Sequence, residues 1–110
     1  MSSVTVHCLT DLWQDSRGEP VSLYEGDDST VQTGSYVIEP GERVPETGRT
    51  SHDGDELSVI VSGEINLVAD GERYTIGSET LSVIPAGTAH YSENTGTEPC
   101  YLVYTVFGEL

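Results

Sequence analysis

The chain of 110 residues predicts an all-β fold, a sandwich or barrel of antiparallel sheet. Two observations carry that prediction. Short β-prone runs recur between glycine, proline or Asp-rich breaks, and no amphipathic helix longer than a turn or two is present. The expected strands are Val4 to Leu9, Val21 to Glu25, Thr30 to Ile38, Glu56 to Val61, Ile65 to Ala69, Arg73 to Ile76, Leu81 to Ile84 and Tyr101 to Phe107. Asp11 to Ser16 is the one helical candidate. Ser62-Gly63-Glu64 and Ala69-Asp70-Gly71-Glu72 fit tight hairpin loops, Asp-Gly being the stronger signal because a type I′ turn needs left-handed backbone. Pro40-Gly41 ends a strand abruptly. Glu42 to Asp55 is then the longest stretch without strand character, and long ordered loops tend to carry function.

Two strands are apolar on both faces. In Glu56 to Val61, Leu57, Val59 and Val61 share one face and Glu56, Ser58 and Ile60 the other; in the last strand Tyr101, Val103, Thr105 and Phe107 oppose Leu102, Tyr104 and Val106. Such strands need cover on both sides, so one face lines a barrel and the other meets a second sheet or subunit. Hydrophobic residues are 35% of the chain, a lean core for one domain, which again points to a homodimer. The length suits a single domain over residues 1–110, with N-terminal strands in 1–35 at a dimer interface and the core in 37–107.

Asp and Glu number 19 against four arginines and no lysine, a net charge of −15. Arg17, Arg43, Arg49 and Arg73 are too few and too dispersed to make a basic patch, so no nucleic-acid or membrane partner is expected and a small-molecule ligand is. The carboxylates are spread along the chain among Val- and Ile-rich segments, which reads as folded rather than disordered. Lysine-free, evenly acidic composition resembles proteins of salt-accumulating halophiles, where at ~1 M salt a Debye length of about 3 Å screens self-repulsion. No run approaches the roughly 18 apolar residues of a membrane span, and the first residues lack signal-peptide character, so a cytoplasmic protein is expected. Cys8 and Cys100 have no zinc-type spacing and read as buried reduced thiols rather than a disulfide.

The chemistry concentrates on two histidines. His52 is followed by Glu56 and then Gly63; Pro85, Gly87, His90 and Asn94 come later. Two imidazoles and a carboxylate on one side of a site suit Fe, Mn, Ni or Zn as divalent ions and leave positions open for water or substrate. The alternative is that His52 and His90 are polar residues of a barrel that binds no metal, and that Glu56 is one carboxylate among many.

This spacing resembles the cupin family. Its first motif has histidine, one residue, histidine, three or four residues, glutamate, six residues, glycine; Thr50, His52, Glu56 and Gly63 match it with threonine in place of the first histidine. Its second motif is matched in full by Pro85, Gly87, His90 and Asn94. The resemblance covers roughly residues 37–107 and departs in two loops, where Gly41 and Gly77 stand farther from their motifs than the family places them. It implies a conical antiparallel β-barrel of jelly-roll type, often dimeric, with metal ligands His52, Glu56 and His90 and a fourth ligand lost at Thr50. Asp53 or Asp55 could fill that gap or simply be solvated. Asn94 is usually structural in the family, and Pro85 with Gly87 shape the turn presenting His90.

Arg43 and Arg49, in the loop entering the first motif, are candidates for gripping a substrate carboxylate or phosphate, or else neutralise Glu42 and Glu46. Tyr91 and Tyr104 are the candidate catalytic acid or base, and Tyr36 and Tyr101 could also line the pocket. His7 is read as packed or surface-exposed. The resemblance implies a metal-dependent enzyme on a small polar metabolite, of oxygenase or isomerase type; the alternatives are a non-enzymatic metabolite-binding or sensory module and a metal-free structural dimer.

Overall fold

Alternation along each strand decides which side chains meet in the interior, and the strand pairing then fixes their rows. The structure, a computed structural model, describes residues 4–26 and 30–108. In chain order these form α1 (Leu9–Leu12), β1 (Val21–Glu25), β2 (Val31–Ile38), β3 (Arg43–Val44), β4 (Glu56–Ser62), β5 (Ile65–Ala69), β6 (Glu72–Ile76), β7 (Thr80–Ile84), β8 (His90–Glu93) and β9 (Cys100–Phe107). All strand pairings within the sheets are antiparallel, in a five-stranded sheet β1-β2-β9-β4-β7 and a four-stranded sheet β3-β8-β5-β6. This is the jelly roll, or double-stranded β-helix.

Ile38, Ile60, Ile65, Leu67, Ile76, Ile84, Cys100 and Leu102 form the buried cluster between the sheets. Full burial of each large aliphatic side chain contributes about 1.5–3 kcal/mol, which makes this cluster the main source of stability in a lean chain. Burial pushes the Cys100 thiol up to about 11, so it is an inert packing group at neutral pH. Cys8 is free and exposed rather than buried. The β5–β6 hairpin turns through Asp70 (φ 50°) and Gly71 (φ 81°), the left-handed pair that the Asp-Gly dipeptide predicts. Gly63 (φ 93°) lies so close to the β9 entry that an added Cβ would stand 2.9 Å from Cys100 Cα.

Two N-terminal expectations need correction. Val4 to Cys8 is exposed and belongs to no strand, because alternation alone cannot make a ladder without a neighbouring edge. The helix starts two residues before the predicted Asp11 and is a single turn. The segment after it lies against the outer face of the five-stranded sheet: Trp13 meets Tyr101 with ring centroids 5.2 Å apart, and the Ser16 hydroxyl is 2.6 Å from that of Ser35. The predicted loop 42–55 contains the two-residue β3, and β8 is a strand that the sequence reading left as loop. Among the described residues, no helix is long and apolar enough to cross a membrane.

Candidate metal centre

His52 stands in the loop before β4, Glu56 opens β4, and His90 opens β8. The main chain brings these two regions together. Thr50 and His90 exchange N–H···O bonds of 2.9 and 2.8 Å, and Gly87 N donates to His52 O at 2.8 Å. Asp55 adds a side-chain tie by accepting from Ala86 N at 2.9 Å. Gly87, at φ 76°, makes the turn from Pro85 that delivers His90.

One donor atom from each of His52, Glu56 and His90 lies within 4.8 Å of the others. His52 Nε2 is 2.9 Å and His90 Nε2 3.7 Å from the same oxygen, Glu56 Oε1. His90 Nδ1 lies 2.9 Å from the Thr88 carbonyl, a contact that uses Nδ1–H and turns the lone pair of Nε2 toward the cluster. Glu56, facing Nε2, and the Thr88 carbonyl, facing Nδ1, both favour the doubly protonated ring, so the His90 pKa is raised although burial opposes this. His52 Nδ1 is buried without a hydrogen-bond partner among the described residues. Two imidazoles and a carboxylate converging on one point are a fitting donor set for a divalent transition metal. Neither acidic neighbour completes it, since Asp53 is exposed and Asp55 is engaged with Ala86. Thr50 lines the cavity from the position of the missing histidine.

The cluster forms part of the wall of a cavity of about 400 Å³ opened between the sheets, to which Gln32, Tyr36, Ser58, Ser92, Leu102 and Tyr104 also contribute. Tyr104 reaches it across Gly34, where an added Cβ would stand 2.7 Å from the phenol Cζ. Burial, and secondarily the negative charge of Glu56, raise the Tyr104 pKa; burial and the carboxylates of Glu42, Glu46 and Glu19 raise that of Tyr36. Both phenols therefore remain protonated donors at neutral pH.

Alternation puts several other predicted residues elsewhere. The pleat that turns His90 and Ser92 into the cavity turns Tyr91 to the outside of the four-stranded sheet. There the Arg43 guanidinium lies 3.9 Å and that of Arg49 5.1 Å from the Tyr91 ring centroid. Arg43 also donates to Pro45 O and Gly48 O, tying down its own loop. Tyr91, Arg43 and Arg49 thus stand off the cavity wall. Tyr101 packs outside against Trp13. His7 is exposed, with Nε2 3.1 Å from Leu23 O. Asn94, fully buried, donates to Ile38 O and Glu98 O and accepts from Gly96 N, which is a structural role. Gln32 and Ser92 were missed; Gln32 lies four residues before Tyr36 on one strand, and that even spacing was the available signal.

Fold and cluster together define a double-stranded β-helix protein with a three-residue candidate metal site in its barrel. The model of the cupin domain family matches residues 34–107, and the chain belongs to the cupin family. No curated protein matches in sequence. Among solved structures it is similar to a conserved protein with a double-stranded β-helix domain from Klebsiella pneumoniae (19% identity, 96% of this chain and 90% of that one, TM-score 0.77). It is also similar to the cupin domain of an XRE family transcriptional regulator from Enterobacter cloacae (20% identity, 83% and 96%, TM-score 0.70). A third is the cupin domain of Schizosaccharomyces pombe Cnp3 (18% identity, TM-score 0.70), where 82% of this chain spans 64% of that one. At these identities the likeness concerns the fold.

Proposed function

We propose that the protein binds a divalent transition metal, iron, manganese, nickel or zinc, through His52, Glu56 and His90, and acts as an enzyme on a small polar metabolite. The observation that carries this reading is the convergence of those three donors on the wall of a cavity large enough for a small molecule. A metal held there would supply Lewis acidity or a site for O2, chemistry of isomerase or oxygenase type. The chain's own residues supply the rest. Glu56 and the Thr88 carbonyl orient the two imidazoles, Tyr104 holds a proton at its phenol oxygen, and the walls of Ile38, Val44, Leu102 and Val106 exclude water from the ligand.

Elemental analysis tests the metal. Protein purified in molar KCl without metal-affinity resin is compared with a His52→Ala, His90→Ala double variant. Near-stoichiometric metal in wild type that vanishes in the variant is the expected result. Wild type that carries no metal and takes up none when it is added would overturn the reading. A sensory or binding module is the second reading, favoured by the likeness to the cupin domain of a regulator. Ligand binding without turnover by the metal-loaded protein would select it.

The partner is proposed to be a second copy of this chain. On the outer face of the five-stranded sheet, Leu57, Val59 and Val61 of β4, Leu81 and Val83 of β7 and Val103, Thr105 and Phe107 of β9 share one side. Val59, Val61, Leu81, Val83 and Phe107 are exposed there, 41–56% each. None of these positions carries a carboxylate, in a chain of net charge −15, so this is a face on which two copies can meet without like-charge apposition.

A further inference from the structure

We infer that the part of the cavity beyond His52, Glu56 and His90 takes the uncharged end of a ligand with an apolar body, an end that both donates and accepts a hydrogen bond, of the kind presented by a primary amide or a hydroxy-carbonyl group. The inference rests on reading this cavity as the ligand site and adds the ligand's class. Its first support is the whereabouts of the cations. Arg17 is paired with Glu39 beside Tyr101, Arg43 and Arg49 lie over Tyr91 outside the four-stranded sheet, and Arg73 is exposed on β6. None of them lines the cavity. Its ionisable lining is Glu56, the two histidines and two protonated phenols, so beyond the histidine–glutamate cluster a ligand carboxylate or phosphate finds no counter-charge. An unpaired anion in such a place loses its hydration without compensation.

The second support is Gln32. Its Oε1 is buried and has no hydrogen-bond partner among the described residues, although its side chain lines the cavity. A buried acceptor left empty costs free energy that a ligand N–H or O–H recovers. Gln32 pairs with Val106, and Gly34, the next inward position on β2, pairs with Tyr104. An acceptor and a phenolic donor therefore occupy adjacent rows of one sheet face, while Ile38, Val44, Leu102 and Val106 give the apolar wall. A ligand end with both a donor and an acceptor fits those two rows.

Benzamide and benzoate, matched in size and differing in charge and donor, are the probes, each titrated into the full chain in molar KCl at pH 7.5 without metal. The readout is the saturable shift of the Val44, Leu102 and Val106 methyl resonances. Benzamide is expected to bind at least tenfold more tightly than benzoate. Gln32→Met is expected to weaken benzamide about fivefold, the usual worth of one neutral hydrogen bond. Tyr104→Phe, which keeps the ring in place, is expected to weaken it by a similar factor and stands in should Gln32→Met fail to fold. Benzoate binding as tightly as benzamide, shifts confined to methyls outside the cavity, or no benzamide shift at ~10 mM, well above the weak affinity a fragment of this size needs to register, would each overturn the inference. Because the titration is made without metal, failure of the metal reading shows in elemental analysis and leaves this result standing or falling by itself.

Discussion

Replacing Gly34 with alanine tests whether Tyr104 is held in the cavity by the absence of a side chain opposite it. The new Cβ would lie 2.7 Å from Tyr104 Cζ and 2.6 Å from Val21 O, where 3.4–4 Å is ordinary contact. The phenol must retreat by at least 0.7 Å, the shortfall between 2.7 and 3.4 Å, and β1 must give way at Val21 as well. Overpacking of this kind costs typically 1–3 kcal/mol. At roughly 4–8 °C per kcal/mol for a domain near this size, a cost of about 2 kcal/mol lowers Tm by about 10 °C. The assay is thermal unfolding in molar KCl of wild type, Gly34→Ala, Tyr104→Phe and the double variant. Part of the clash is with the hydroxyl itself, so Tyr104→Phe is expected to be less costly in the alanine background, with a coupling of about 0.5–1 kcal/mol. Gly34→Ala melting within about 2 °C of wild type, or two strictly additive substitutions, would refute the reasoning.

Metal uptake is expected to weaken with acid, because a metal at His90 Nε2 must displace the proton that Glu56 favours there and that raises the His90 pKa above the ordinary 6.5. Titration of cobalt by absorbance should show affinity falling by roughly tenfold per pH unit below the His90 pKa, and a flat profile from pH 6 to 8 would exclude that proton. In the metal-free protein the same raised pKa adds stability that is complete below the unfolded value of about 6.5 and is lost as pH rises through the folded one. Urea unfolding at pH 6 and pH 8.5 measures it. The outer face predicts that Val59→Asp with Leu81→Asp, both outward and cross-strand neighbours, yields monomers in sedimentation while wild type is a dimer. A monomeric wild type at tens of micromolar in molar KCl would refute the proposed interface.

Much of the architecture was legible because its signals are local. Val31–Ile38 and Ile65–Ala69 are β-prone runs bounded by breaks, and Asp70-Gly71 carries the backbone demand of its own turn. The cluster of His52, Glu56 and His90 was legible in its spacing, which keeps the motif's register although Thr50 stands where its first histidine would. What was missed depends on neighbours. His90-Tyr91-Ser92-Glu93 has no apolar alternation and becomes a strand through its pairing with β5. Val4 and Val6 alternate well and find no edge to join. Tyr91, named with Tyr104 as a candidate acid or base, follows His90 directly, and a strand sends adjacent residues to opposite faces. Arg43 and Arg49 were placed by their loop, and a loop's sequence does not say which way a long side chain leaves it.

The hydrogen bonds that join Thr50 to His90 and Gly87 to His52 run between main-chain atoms, so the spacing of the donors is set by the fold before any ion arrives. An ion entering such a site has no chain to gather and no loop-closure entropy to overcome. The converse is that the protein contributes little geometric preference of its own beyond a three-donor pocket with room to spare. Occupancy then follows the intrinsic order of affinities for nitrogen and carboxylate donors, weighted by what the surroundings supply. On the metal reading proposed above, the same chain grown under different metal supplies would carry different ions in an unchanged scaffold.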